Sequence, residues 1–91
     1  MNYTLITPEL LLELGFEKGK TQEGNDFFAK GKIGLVNNLG WIPCKMVTGE
    51  PKAIEPIWNI TTIEELYLSE RRDGIEDLEI QNFLQQNHHQ N

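Results

Sequence analysis

The middle of the sequence constrains the fold more than any other part. From Phe27 to Trp58 it reads FFAKGKIGLVNNLGWIPCKMVTGEPKAIEPIW, short runs rich in Phe, Ile, Val and Trp cut by Gly, Asn and Pro. That is the pattern of successive strands joined by tight turns. Strands are predicted at 27–30, 33–37, 41–47 and 53–58, linked by Gly31-Lys32, by 38–40 and by 48–51. Pro43, Pro51 and Pro56 each remove a ladder donor, so the third and fourth strands are expected to be irregular or at an edge. The polar stretch from Glu17 to Asp26, ending near the turn pair Gly24-Asn25, reads as a loop.

Helix signals flank this block. Thr7-Pro8-Glu9 supplies a cap, a proline where a missing N–H costs nothing, and a carboxylate at the positive end of the dipole. Leu10, Leu11 and Leu14 share one face, Gly15 suits the left-handed residue that ends a helix, and Phe16 is placed to fold back on the last turn. Thr62-Ile63-Glu64-Glu65 matches a capping box and opens a second helix over 63–72, with Ile63, Leu66 and Tyr67 as its stripe and Asp73-Gly74 as its stop. Beyond Gly74, the spacing of Ile80, Phe83 and Leu84 is helical, yet Asp77-Leu78-Glu79-Ile80 alternates like a strand, so periodicity does not decide over 75–86. Clustered strands with flanking helices imply an α+β domain: a three- to four-stranded antiparallel meander with an N-terminal and a C-terminal helix packed on one face.

A chain of 91 residues supports one domain, expected over 1–84 with a polar tail at 85–91. So short a chain buries only about 60–65% of its unfolded surface, so its stability margin is thin. The lone Cys44 forms no internal disulfide and has no zinc-ligand spacing around it; it reads as a small apolar residue in a strand. The first sixteen residues carry no basic leader, and Glu13 and Gly15 interrupt their apolar run, which points to a cytoplasmic protein without a membrane span. Asn2-Tyr3-Thr4 and Asn59-Ile60-Thr61 match glycosylation acceptors, which mean nothing in that compartment.

The motifs that suggest chemistry fail on spacing. Gly15-Phe16-Glu17-Lys18-Gly19-Lys20-Thr21 has three residues between its glycines where a phosphate loop needs four, and it follows a helix rather than a strand. His88 and His89 are adjacent in the tail with no further ligands at usable spacing, so neither metal nor cofactor is expected. Cys44 and Ser69 have no histidine outside that tail to activate them. Carboxylate pairs such as Glu55 with Asp26, or Glu64 with Glu65, are of the type that does acid–base work, but surface carboxylates are the norm. Lysines interleaved with Phe27, Phe28 and Trp41 resemble a base-stacking sheet, but the net charge of −6 opposes direct nucleic-acid binding.

Two surfaces remain. Residues 1–60 carry a net charge of −1 and residues 61–91 a net of −5, so the acidity lies in the last third. There Glu65, Asp73 and Glu76 would share one side of a continuous helix, a column of charge able to enter a basic groove. In the third strand, Ile42, Cys44 and Met46 point one way and Trp41, Pro43, Lys45 and Val47 the other. If the first set faces the helices, Trp41 and Val47 join Phe27 in an open apolar patch for a partner or for self-association.

Thr7-Pro8-Glu9-Leu10 through Leu14-Gly15-Phe16-Glu17, and Ile63-Glu64-Glu65-Leu66-Tyr67 followed by Gly74-Ile75-Glu76-Asp77-Leu78, resemble the opening and closing helices of a loose group of small proteins from bacterial prophages and mobile elements. The match covers only the two ends, roughly a third of the chain, and implies a setting rather than an activity. The expectation is therefore a non-enzymatic accessory domain acting through a protein partner or as a homo-oligomer. The alternative is a phage-type inhibitor whose acidic third occupies the nucleic-acid groove of a host nuclease or defence complex.

Overall fold

The computed structural model describes residues 3–37, 39–55 and 57–88. Among them the elements run α1 (Pro8–Glu13), β1 (Glu17–Lys20), β2 (Asp26–Lys30), β3 (Ile33–Asn37), β4 (Trp41–Val47), β5 (Glu50–Ala53), α2 (Ile63–Arg72) and α3 (Leu78–His88). The strands form one antiparallel meander in sequence order. The domain is α+β as expected, with five strands rather than three or four and a third helix.

The helix ends follow the sequence signals. Thr7 Oγ1 accepts from the Leu10 amide at 3.1 Å, and α1 closes with the Phe16 and Gly15 amides donating to the Leu11 and Leu12 carbonyls at 2.9 and 3.2 Å. At α2 the Glu65 amide donates to Thr62 Oγ1 at 3.2 Å and Glu65 Oε1 accepts the Thr62 amide at 3.1 Å, a complete capping box. Replacing Thr62 with Ala is expected to cost about 1 kcal/mol of folding stability, read as a lowered urea midpoint at unchanged slope. The third helix settles the ambiguity after Gly74: Asp77 Oδ1 caps it by accepting the Ile80 amide at 3.2 Å, and Ile80 is fully buried. Residues 85–88 of the polar tail continue α3; His89 lies outside the described residues.

Two strands differ from expectation for local reasons. β1, read as a loop, has little apolar content and pairs as an edge strand through its backbone from Glu17↔Ala29 to Lys20↔Asp26. β5 runs Glu50–Ala53 rather than 53–58, because Thr48 and Gly49 both take positive φ (48° and 81°) and make a two-residue hairpin turn. Pro51 is tolerated at that outer edge. Pro43 sits inside the sheet without harm: its carbonyl accepts from Ile54, so its missing N–H would point away from β3, past the end of β5. Both edges are blunt, one reading Glu-Lys-Gly-Lys and the other Glu-Pro-Lys-Ala.

One side of the sheet makes the core. Phe28, Ile33, Leu35 and Trp41 pack with Leu11 and Leu14 of α1, Ile63 and Leu66 of α2, and Ile80 of α3. The helices therefore share one face, as predicted. The N-terminal segment closes over them by pairing with the approach to α2, where the Ile6 amide donates to Thr61 O at 2.9 Å. Among the described residues no helix is long and apolar enough to cross a membrane.

Candidate functional site

The ridge of α2 that meets the core carries a carboxylate. Glu70 falls on the same face as Leu66 and Ile63, one and two turns away, and is only 2% exposed. Among the described residues neither of its oxygens finds a donor, and neither does Oδ2 of the buried Asp77, which faces it. Burial, reinforced by the Asp77 carboxylate, pushes Glu70 up to about 8, with Lys30 opposing. A proton on Glu70 would let one of its oxygens donate to Asp77 Oδ2 and relieve that pair, while its second oxygen keeps no donor among the described residues.

Asp77 is the hub of this cluster. Its Oδ1 accepts from Lys30 Nζ at 2.7 Å as well as from the Ile80 amide. Lys30 in turn donates to Leu14 O at 2.6 Å, pairs with Glu79 Oε1 at 2.8 Å and lies 5.5 Å from the centre of the Phe16 ring. Burial works against its charge, but the bonds to Asp77 and Glu79 outweigh it and raise its pKa. One ammonium thus ties the end of α1, strand β2 and the start of α3. Beside it a cleft of about 500 Å³ runs between the sheet and α2, walled by Ile33, Pro43, Leu66 and Ile75 with Glu70 among its lining residues.

The second candidate is the sheet face that the helices leave open. Cross-strand register places Gly19, Phe27, Val36 and Ile42 in one row across it, and Ala29, Gly34, Cys44 and Ala53 in the next. The tip of the Phe27 ring lies over Gly19, where an added Cβ would stand 2.5 Å from it, and the Met46 sulfur reaches over Gly34 in the same way. Val36, Ile42 and Met46 stay half-buried. Glu17 is the charged residue on this face, at one corner. Cys44 is buried here, and burial, opposed by a bond from the Val36 backbone, pushes its thiol up, away from nucleophile chemistry.

The residues singled out in the sequence are redistributed. Trp41 is core, 6% exposed and edge-on to Phe28 at 5.7 Å, because its set of β4 side chains, not the Ile42 set, faces the helices. Val47 is partly exposed on Trp41's side, while Phe27 belongs to the opposite face, so the three do not form one patch. The acidic column is broken as well. Gly74, at φ 75°, separates α2 from α3, and Glu65 is spent on the capping box, where the Thr61 and Thr62 amides hold its carboxyl below the usual range. Asp73 ends α2 and Glu76 stands exposed in the turn that follows. Glu64 accepts the Thr4 amide at 3.1 Å and Asp26 pairs with Lys20 at 2.8 Å, so both serve the fold.

Among the described residues no group of three or more His, Cys, Asp or Glu is arranged to hold a metal ion. No protein-family model matches the chain, and neither the curated proteins nor the solved structures include a significant match.

Proposed function

We propose that this chain is a non-catalytic association module whose open sheet face docks against the same face of a second copy. The observation that carries the reading is the composition of that face: an apolar surface across the central strands, opposite the side on which all three helices are buried. Val36, Ile42 and Met46 are half-buried across its centre, with Phe27 and the small Ala29 and Ala53 beside them, and a two-fold rotation sets this surface against its counterpart on a second copy. Two such faces pack about 10 Å apart, as in a β-sandwich. The charge of −6 per copy is kept off the contact, except for Glu17 at its corner.

Five strands about 4.8 Å apart and roughly five residues long at 3.3 Å each span about 19 by 16 Å. That is well below the ~800 Å² per partner of a standard interface, so the dimer is weak and concentration-dependent. Sedimentation velocity from about 10 μM to 1 mM is expected to show reversible dimerisation that tightens with salt, as repulsion between the copies is screened. Ile42→Lys is expected to weaken it at least tenfold while leaving the circular dichroism spectrum unchanged. A wild-type chain monomeric at 1 mM in high salt, or an Ile42→Lys variant that still dimerises, overturns the reading.

A further inference from the structure

We propose that Glu70 and Asp77 form a proton-operated latch that holds the start of α3 against α2 and β2, closed when the pair shares a proton and loosened when Glu70 ionises. The inference goes beyond the association reading and uses the opposite side of the sheet.

The geometry has three parts. Asp77 fixes α3 twice, by capping Ile80 and by its 2.7 Å pair with Lys30 of β2. Glu70 approaches from α2, so its proton bridges one helix to the cap of the next. Gly74, between them at φ 75° with no atom within 4 Å of where a Cβ would stand, gives the connection a pivot that packing does not restrain.

The charged groups around the pair set the direction of the response. With Glu70 neutral, Asp77 is balanced by Lys30, whose ammonium is shared with Glu79 and the Leu14 carbonyl. Ionising Glu70 puts a second buried carboxylate against Asp77, and Lys30 has no further charge to give. Lys32, Lys45 and Asp73 line the cleft beside Glu70 rather than pairing with it. Swinging α3 away about Gly74 lets Glu70 reach water as a carboxylate, and the cost of opening falls as pH rises.

The test is residue-resolved amide hydrogen exchange from pH 5 to 9, each rate divided by its intrinsic chemical rate. Opening coupled to loss of one proton increases tenfold per pH unit between the open-state and closed-state ionisations. Protection of Gln81, Phe83 and Leu84 in α3 is therefore expected to fall about tenfold per pH unit from pH 5 to about 8 and then level off. It should stay below that of Leu35 and Val36 in β3 throughout. In Glu70→Gln the amide donates to Asp77 as the acid does, and α3 protection is expected to be independent of pH. The carboxyl carbon of Glu70, followed by NMR in the wild-type chain, should titrate well above the glutamates at the surface. Protection of α3 that is flat with pH, that equals the sheet's at every pH, or that falls in Glu70→Gln as in wild type overturns the latch, as does a Glu70 carbon that titrates normally.

Discussion

Lys30→Ala is expected to lower folding stability by about 3–5 kcal/mol at pH 7, a large fraction of what a domain of this size has. The side chain is a junction rather than a surface ion: Asp77, its main partner, is 2% exposed at the side chain, and Lys30 itself 21%. Removing the ammonium leaves a buried carboxylate and the Leu14 carbonyl without their donor, which costs more than the pair contributes when intact. Urea denaturation gives the number, and the companion variant Lys30→Ala/Asp77→Asn gives the cause. If the buried charge is responsible, the double variant recovers part of the loss; two additive effects would assign the loss to packing on Phe16 instead.

The dependence of stability on pH is expected to run opposite to that of most acidic proteins. Glu70 moves from an ordinary 4.5 in the unfolded chain to about 8 in the fold, so the folded state holds this proton more tightly. Its contribution is fully present below pH 4.5 and is lost as pH rises through 8. At 1.36 kcal/mol per pH unit the ceiling is roughly 4–5 kcal/mol. Depressed carboxylates, Glu65 and Asp26 among them, lose stability in the other direction as pH falls through their lower values. The net expectation is a maximum near pH 5, with a decline of several kcal/mol by pH 8. Glu70→Gln should flatten that decline and be more stable than wild type at pH 8, measured by urea titration at each pH. A wild-type stability that is level between pH 5 and 8 would show that Glu70 ionises in the fold at no cost.

Where local chemistry decides structure, the chain was legible. Strands β3 and β4 and helix α2 fall where turn residues and the capping box place them, and Gly15-Phe16 ends α1 by the expected backbone bonds. β1 was hidden because an edge strand of charged residues is held by backbone pairing alone, and β5 because its turn depends on a threonine with positive φ. Period two separates the two sides of β4 but does not say which side is inside. Both are apolar, and the choice is made by Trp41 meeting Phe28 and by the backbone bridge to Ile60. The polar cluster joins Lys30 to Asp77 across 47 positions and was invisible to spacing. One signal was available: Glu70 continues the stripe of Ile63 and Leu66, and a carboxylate on the inward stripe of a helix marks a buried acid.

The blunt edges of the sheet carry a consequence for how copies can assemble. Adding a strand to either margin would have to accommodate Lys18 and Lys20 on one side and a proline without a donor on the other, so edge-to-edge growth is disfavoured. Growth by strand addition has no natural end and leads to fibres, whereas contact through a single self-complementary face uses up the surface that made it. On the proposed reading, one adhesive face and two repellent margins would hold assembly at two copies.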